Sequence, residues 1–484
     1  MRSFVALALA SLVATPAVAA PVLIATGTLN GSSAGAGIDL SGLGYSLENG
    51  LAQNLLGGLG SGLAYGGGTT FFATPDRGPN ALPYNPLIDN TTSFISRFQT
   101  LSLALAPAAG GTLPFSLTSQ LTGTTLLYSP SDLFYGSGAG LGNDIAGHPL
   151  PAGNWVNTAG KHYFTGRSDN FDPTKNSGNL ANARFDPESI RMANDGKTVF
   201  VSDEYGPYVR QFDVKTGELV RSFALPSELY VSNLSPSGAT EISGNTIGRT
   251  ANKGMEGLAI TPDGKTLVGA MQANLTNDPV GTVRLVTIDI ATGGTHEYAL
   301  KLTAGSGISD IVAIDATHFL IDERDGKGLG DGTKAKVKNI YSIDLTGATD
   351  VKGVVDLKTV TNLSYVKNTG LFIDLVAALT AYGIPATAIP SKIEGLAFGQ
   401  DVIDAAGQTL RTLFIANDND FDPAGAGPNT FYVFGFRNAD LPGYTPQAIS
   451  PAPEPGTWGL MVAGIGAVGA MLRRRARWTL GALA

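Results

Sequence analysis

Three glutamates stand in nearly the same local context at widely separated places: Glu188-Ser189-Ile190, Glu256-Gly257-Leu258 and Glu394-Gly395-Leu396. Each opens an apolar run, which a turn, a second apolar run and a polar loop then follow. The exit loops carry Asp203 and Glu204, then Asp322, Glu323, Arg324 and Asp325, then Asn417, Asp418 and Asp420, and the earliest copy carries Asp76 and Arg77. Carboxylates at equivalent positions of a repeated unit are expected to meet. Once together they repel one another and lose hydration, so they need protons, basic partners or a metal. Basic residues lie just upstream of each glutamate, at Arg184, Lys253 and Lys392. With no cysteine and only His148, His162, His296 and His318, the ligand set is all oxygen. Such a set favours a hard cation, calcium before magnesium, and argues against zinc. The expected ligands are Asp76, Glu188, Asp203, Glu204, Glu256, Asp322, Glu323, Glu394, Asp418 and Asp420. Residues 418–422 do not make an EF-hand, because Pro423 takes the glycine position and Asn429 stands where the closing glutamate belongs. Taken singly, each acid also reads as a turn cap and each base as its ion-pair partner.

The elements that must position these groups form a repeat. Residues 186–208 read as a strand over 189–192, a tight Asn194-Asp195-Gly196-Lys197 turn and a strand over 198–201. Asn, Asp and Gly tolerate the positive φ of a short hairpin loop. The same plan recurs over residues 253–270 and 391–419, and in degenerate form over 309–325 and 60–77. Further strand-like runs follow each hairpin, giving about four strands per unit, which fits a radial propeller better than a flat sandwich. The expectation is an all-β propeller of five to six blades, six preferred, because a sixth could draw on residues 115–128 or on the N-terminal run 22–28. Spacing between the repeat glutamates is uneven, so insertions are expected. Residues 129–182, rich in Gly, Asn, Pro and aromatics, are expected to cover one mouth. Residues 371–382 read as one short helix closed by Gly383 and Pro385. The formal G-x-S-x-G match at residues 31–35 lacks a strand–elbow–helix context, and no Ser-His-Asp arrangement supports a serine esterase.

Both ends read as address labels. Residues 1–20 form a secretory signal with Ala17-Val18-Ala19 at its end. Residues 456–472 are long enough to span a bilayer as a transmembrane helix, and Arg473, Arg474, Arg475 and Arg477 would stay cytoplasmic, leaving the body outside. With residues 441–455 as a linker holding Pro453-Glu454-Pro455, this C-terminus resembles a PEP-CTERM sorting signal, which implies processing by an exosortase at the inner membrane of a Gram-negative bacterium. Without Arg2 and the tail arginines, the body carries 27 basic against 40 acidic side chains, a balance of −13 rather than −8. Such a surface repels nucleic acid, and it repels a polyanionic substrate unless a cation intervenes.

The segments RFDPESIR, VFVSDEYGPYVRQFD, KGMEGLAI, KIEGLAF and FTGRSDNFDP resemble the phytase-like family named for an esterase-like activity of phytase, placed here on residues 21–440. That resemblance implies a propeller related in architecture to phytases that bind several calcium ions and hydrolyse phosphate monoesters. It suggests Glu188, Glu256, Glu394 and Arg324 as the catalytic constellation. Arg77, Arg167, Lys253 and Lys392 would then grip phosphate oxygens. The resulting expectation is an exported, calcium-dependent phosphoesterase acting on a phosphorylated small molecule. The alternative is a non-catalytic propeller, with calcium purely structural, that binds an extracellular polymer or protein at the cell surface.

Overall fold

The computed structural model describes residues 21–29, 37–80, 90–136 and 156–450. The expected signal peptide, the 31–35 match, His148 and the expected transmembrane helix lie outside these residues. No helix among the described residues is long and apolar enough to cross a membrane.

Among the described residues the main strands form five antiparallel blades of four around a channel; the short strand Val402–Ile403 adds to the fifth, and Tyr128–Ser129 pairs with His162–Tyr163 apart from them. In the first four blades, each strand pairs with the next in sequence: Gly62–Gly67, Thr70–Thr74, Arg97–Pro107 and Phe115–Leu126 make the first. The second holds Pro187–Met192, Thr198–Asp203, Val209–Asp213 and Leu219–Phe223; the third holds Met255–Ile260, Thr266–Met271, Thr282–Asp289 and Thr295–Lys301. The fourth comprises Gly307–Ala313, His318–Arg324, Lys338–Asp344 and Lys367–Asp374. In the fifth, Ile393–Phe398, Thr409–Asn417 and Thr430–Phe436 come from the C-terminal side, and Val22–Thr28 supplies the outermost strand. The N-terminal strand thus closes the ring in place of a C-terminal one. Five blades form rather than six, because Phe115–Leu126 is the outer strand of the first blade and Val22–Thr28 completes the fifth. All five hairpins recognised in the sequence are the inner strand pairs of the five blades.

Each blade needs a neighbour to bury its faces. One apolar cluster fills each gap between adjacent blades: Phe72, Phe98, Ile190 and Val201 lie between the first and second, and Ile24, Phe71, Phe414 and Val433 between the fifth and first. Inner strands are therefore buried on both faces, and their sequences are nearly continuous apolar runs rather than alternating ones.

Close to the axis there is little room for side chains. A Cβ at Gly257 would come within 3.1 Å of the Asp310 backbone, and one at Gly395 within 2.9 Å of the Gly60 carbonyl oxygen. The space that remains is filled by one ion pair. Arg191 Nη2 donates to both oxygens of Asp310 at 2.8 Å, and its Nη1 donates to the Leu63 and Ile190 carbonyls at 2.6 Å each. Asp310 also accepts from Ser189 Oγ at 2.9 Å and from Leu396 N at 2.8 Å. The pair therefore ties together inner strands of the first, second, fourth and fifth blades.

Residues 371–374 belong to the outer strand of the fourth blade, and the helix spans only Leu375–Ala381. The Asp374 carboxylate accepts from Ala377 N at 2.9 Å, so the residue read as helix interior is the N-cap. A second short helix, Gly238–Gly244, has no strong periodic signal and was not expected.

Asp310→Ala leaves a buried guanidinium without its partner, and chemical denaturation should register a loss of about 3–5 kcal/mol. The double variant Arg191→Met/Asp310→Leu should recover part of that loss, because no charge is then stranded.

Candidate functional site

Irregular strand pairing decides where the repeat glutamates point. The register between first and second strands slips between Met255 and Gly257, between Ile393 and Gly395, and between Pro187 and Ile190. Glu256 and Glu394 are the residues skipped, and in the second blade Glu188 is skipped together with Ser189. A bulge leaves its extra residue out of the ladder and re-aims the side chain. The fourth blade slips in the same place, between Ile308 and Asp310, with Ser309 in the glutamate position. Arg324 fills the space that Ser309 leaves: its guanidinium bonds Ser309 Oγ and Glu394, and lies 3.8 Å from Glu256.

The three glutamates meet at one mouth of the channel, as their equivalence predicts. Burial, with Glu256, Asp186 and Glu204 nearby, pushes the Glu188 carboxyl well above the usual range. Burial with Glu204 and Glu394 does the same to Glu256, against the pull of Arg324 and Lys392. Glu394 rises by burial only to about 7, held down by Arg324 and Lys392. Glu204, buried beside Asp186, rises to about 8.

Two sets of three carboxylates have oxygens within 4.8 Å of one another: Asp186, Glu188 and Glu204 in one, and Asp76, Asp418 and Asp420 in the other. These sets differ in their partners. Lys392 Nζ bonds Asp418 at 2.8 Å and also bonds Asp420, so the second set holds an ammonium. In the first, Arg77 bonds Asp186 at 3.2 Å, while Glu188 and Glu204 have no ion pair among the described residues. Asn80 links the two sets: it accepts from Arg77 at 3.2 Å and donates to Asp420 at 2.9 Å. Gln272 holds Glu256 Oε1 at 2.7 Å, and the buried Glu256 Oε2 has no hydrogen-bond partner among the described residues. Eight carboxylates thus surround three cationic side chains.

Several expected members sit elsewhere. Asp203 faces away from the channel and accepts from the backbone N–H groups of Asp186 and Gly206, bracing the turn behind the mouth. Glu323 accepts from the backbone N–H groups of Thr303, Ala304 and Gly305, because strand alternation turns it outward from Asp322. Asp322 is buried opposite Asp310, below Arg324, and neither carboxylate oxygen has a hydrogen-bond partner among the described residues. Arg167 is buried in a fork to Asp169, at 2.8 and 2.7 Å, and pairs with Glu48 at 3.3 Å. That engagement leaves it bound to carboxylates rather than aimed at a ligand. Lys253 is exposed and makes no ion pair among the described residues; the next residue, Gly254, lies against the Glu204 backbone. Arg184 does not reach the mouth, since it pairs with Glu241 at 3.4 Å and lies over the Tyr205 ring at 3.8 Å. Of residues 129–182, expected to cover one mouth, 137–155 lie outside the described residues; Gly166 accepts from Tyr205 Oη at 3.0 Å.

Sequence reasoning missed Asp186, Gln272, Asn80 and the axial Arg191–Asp310 pair. Asp186 was within reach, lying two residues before the first repeat glutamate. Gln272 follows the third blade's second strand and carries no charge to mark it, and the others act across blades.

Residues 54–421 match the phytase-like family described by an esterase-like activity of phytase. The chain belongs to this family. Residues 451–475 match the PEP-CTERM protein-sorting motif, which implies export and recognition by an exosortase-type sorting enzyme. A protein of Arthroderma benhamiae described as an uncharacterized secreted protein is 30% identical over 258 residues, covering 48% of this chain and 47% of that one. The match spans about half the length of that relative. Similar solved structures include a periplasmic gluconolactonase of Pseudomonas aeruginosa (TM-score 0.29, 11% identity, 85% of this chain and 81% of that one). A second is a putative 6-phosphogluconolactonase of Bacteroides uniformis (TM-score 0.29, 12% identity, 76% and 82%). In this phytase-like chain the propeller assignment stands on the blade order itself.

The raised carboxyls set a pH dependence. Glu394 and Glu204, at about 7 and 8 in the fold against an ordinary 4.5, stabilise the fold fully below about 4.5. That contribution is lost as pH rises through 7 and 8. The melting temperature of chelator-treated protein should fall between pH 5 and 8.5, and calcium should flatten the fall.

Proposed function

We propose that this phytase-like protein is an exported hydrolase that cleaves phosphate esters at the acidic mouth with a divalent cation, calcium first. The observation that supports it most is the set Asp186, Glu188 and Glu204, three buried carboxylates with a single guanidinium between them. Oxygens within 4.8 Å of one another suit calcium, whose ligands stand about 2.3–2.6 Å from the ion. The bare Oε2 of Glu256 fits the same requirement for a further positive partner. The residues that would hold the ion are Asp186, Glu188 and Glu204, with Glu256 and Glu394 beside them. A bound cation supplies charge neutralisation and Lewis acidity toward a phosphate oxygen.

The chain's own groups do the rest. Glu256 and Glu188, raised by burial, can hold a proton near neutral pH and exchange it with a substrate or leaving-group oxygen. Arg324 orients Glu394 and Glu256 by bonding one and lying 3.8 Å from the other. Lys253, exposed at the rim, is free to meet an incoming anion, while Arg77 and Lys392 keep their carboxylates in place.

A second reading draws on a different observation: Arg77, Arg324 and Lys392 are all spent on carboxylates. That arrangement also suits a non-catalytic propeller in which calcium is structural and the mouth binds an extracellular polymer or protein. Phosphate release from phytate and p-nitrophenyl phosphate, with calcium and then with chelator, separates the two. Under the hydrolase reading, calcium-dependent release falls at least about 100-fold in Glu256→Gln, the scale of a lost acid–base group. Absence of release, with calcium still raising the melting temperature, favours the binding module.

A further inference from the structure

The acidic mouth is one end of the channel, and the chain itself closes the other. All five inner strands run away from the mouth. Their far ends, at Tyr65, Met192, Ile260, Ala313 and Phe398, surround a cavity roofed by residues 444–447. After the last strand ends at Phe436, the chain crosses this end as a strap. The Tyr444 ring packs on Phe398, with centroids 4.4 Å apart, and on Phe436 at 5.6 Å, both in the fifth blade. Thr445 N donates to the Ile314 carbonyl at 2.9 Å, just past the fourth blade's inner strand. Gln447 Nε2 donates to Met192 O and Asn194 Oδ1 at 2.7 Å each, and Ser450 N donates to the Asn194 carbonyl at 2.8 Å, both on the second blade. Ile449 packs into the apolar gap between the first and second blades.

The sorting motif begins at residue 451, directly after this last hydrogen bond. Five residues, hence six Cα–Cα steps, separate Ser450 from the apolar stretch starting at 456 and reach at most about 22 Å. The six-residue inner strands, rising about 3.3 Å per residue, put the mouth about 20 Å away on the opposite face.

We infer that the strap sets the orientation of the propeller at the membrane. While the apolar tail is held in a bilayer, the acidic mouth faces away from it. The inference rests on reading the tail as membrane-held before processing. With the strap seated on an inner hairpin turn, the fully extended connection is little longer than the channel and cannot also pass around the outside of a four-stranded blade, so the domain keeps its mouth away from the lipid.

The absence of cysteine makes the test clean. Lys253 and Lys265 are both exposed and flank the third blade's inner strand, one at the mouth end and one beside the strap. The full chain carrying Lys253→Cys or Lys265→Cys is labelled with a fluorophore and reconstituted in phosphatidylcholine–phosphatidylglycerol vesicles containing a headgroup-labelled acceptor lipid. Energy transfer should be severalfold stronger from position 265 than from 253. Equal transfer, or stronger transfer from 253, overturns the orientation. No transfer from either position overturns the anchoring, and the orientation with it. Adding Tyr444→Ala and Gln447→Ala should bring the two signals together while circular dichroism stays unchanged; a preserved difference would show that the strap is not what orients the domain.

Discussion

Arg191 and Asp310 meet where the five inner strands come closest, and the rest of the molecule is arranged around that contact. A fully buried ion pair is stable only if its remaining donors and acceptors are also satisfied. Here most of the surplus hydrogen bonds go to backbone groups of neighbouring blades, while the buried Arg191 Nε has no partner among the described residues. The price of burying two charges is thus met by fixing how inner strands sit against one another. Glycine at positions 257 and 395 belongs to the same arrangement, because side chains there would push the strands off the axis.

Directly above this neutral plug the charge balance reverses. The bulges that lift Glu188, Glu256 and Glu394 out of their ladders turn three carboxylates into the channel, and Asp76, Asp186, Glu204, Asp418 and Asp420 join them. Arg77, Arg324 and Lys392 each bridge elements as well as neutralising charge, so none is simply a free cation. Negative charge remains in excess in a site where burial already raises carboxyl pKa values. Bound protons or a bound cation are the two ways to relieve it, and they make pH and divalent ions opposing influences on one site.

The two chain ends serve the ring in different ways. Val22–Thr28 completes the fifth blade and so closes the circle, while residues 441–450 lie across the end opposite the acids. Closure by a distant strand makes the fold dependent on the contact between the chain's beginning and its last blade. The strap makes the two faces different, one gathering the acids and the other leading into the sorting motif.

Much of this was legible in the chain. The turn signals and paired apolar runs mark all five hairpins because tight turns and doubly buried strands demand particular residues. The repeat glutamates stood out because a bulge followed by a small residue leaves the same short signature each time. Blade number was not legible, since residues 22–28 and 115–126 read as strands without saying which sheet they join. Asp322 and Glu323 are adjacent acids that sequence reading treated alike; alternation sends one inward and the other to a loop. Arg167 and Lys392 looked equivalent too, but one is locked to Asp169 and Glu48 while the other holds the mouth together. The sequence by itself determined the hairpin repeat, the address labels and the acids capable of meeting, because those depend on local backbone preference and composition. Only the tertiary structure decided which acids meet and which bases are already engaged, because contacts such as Arg77–Asp186 and Arg324–Glu394 join different blades through the closing of a ring.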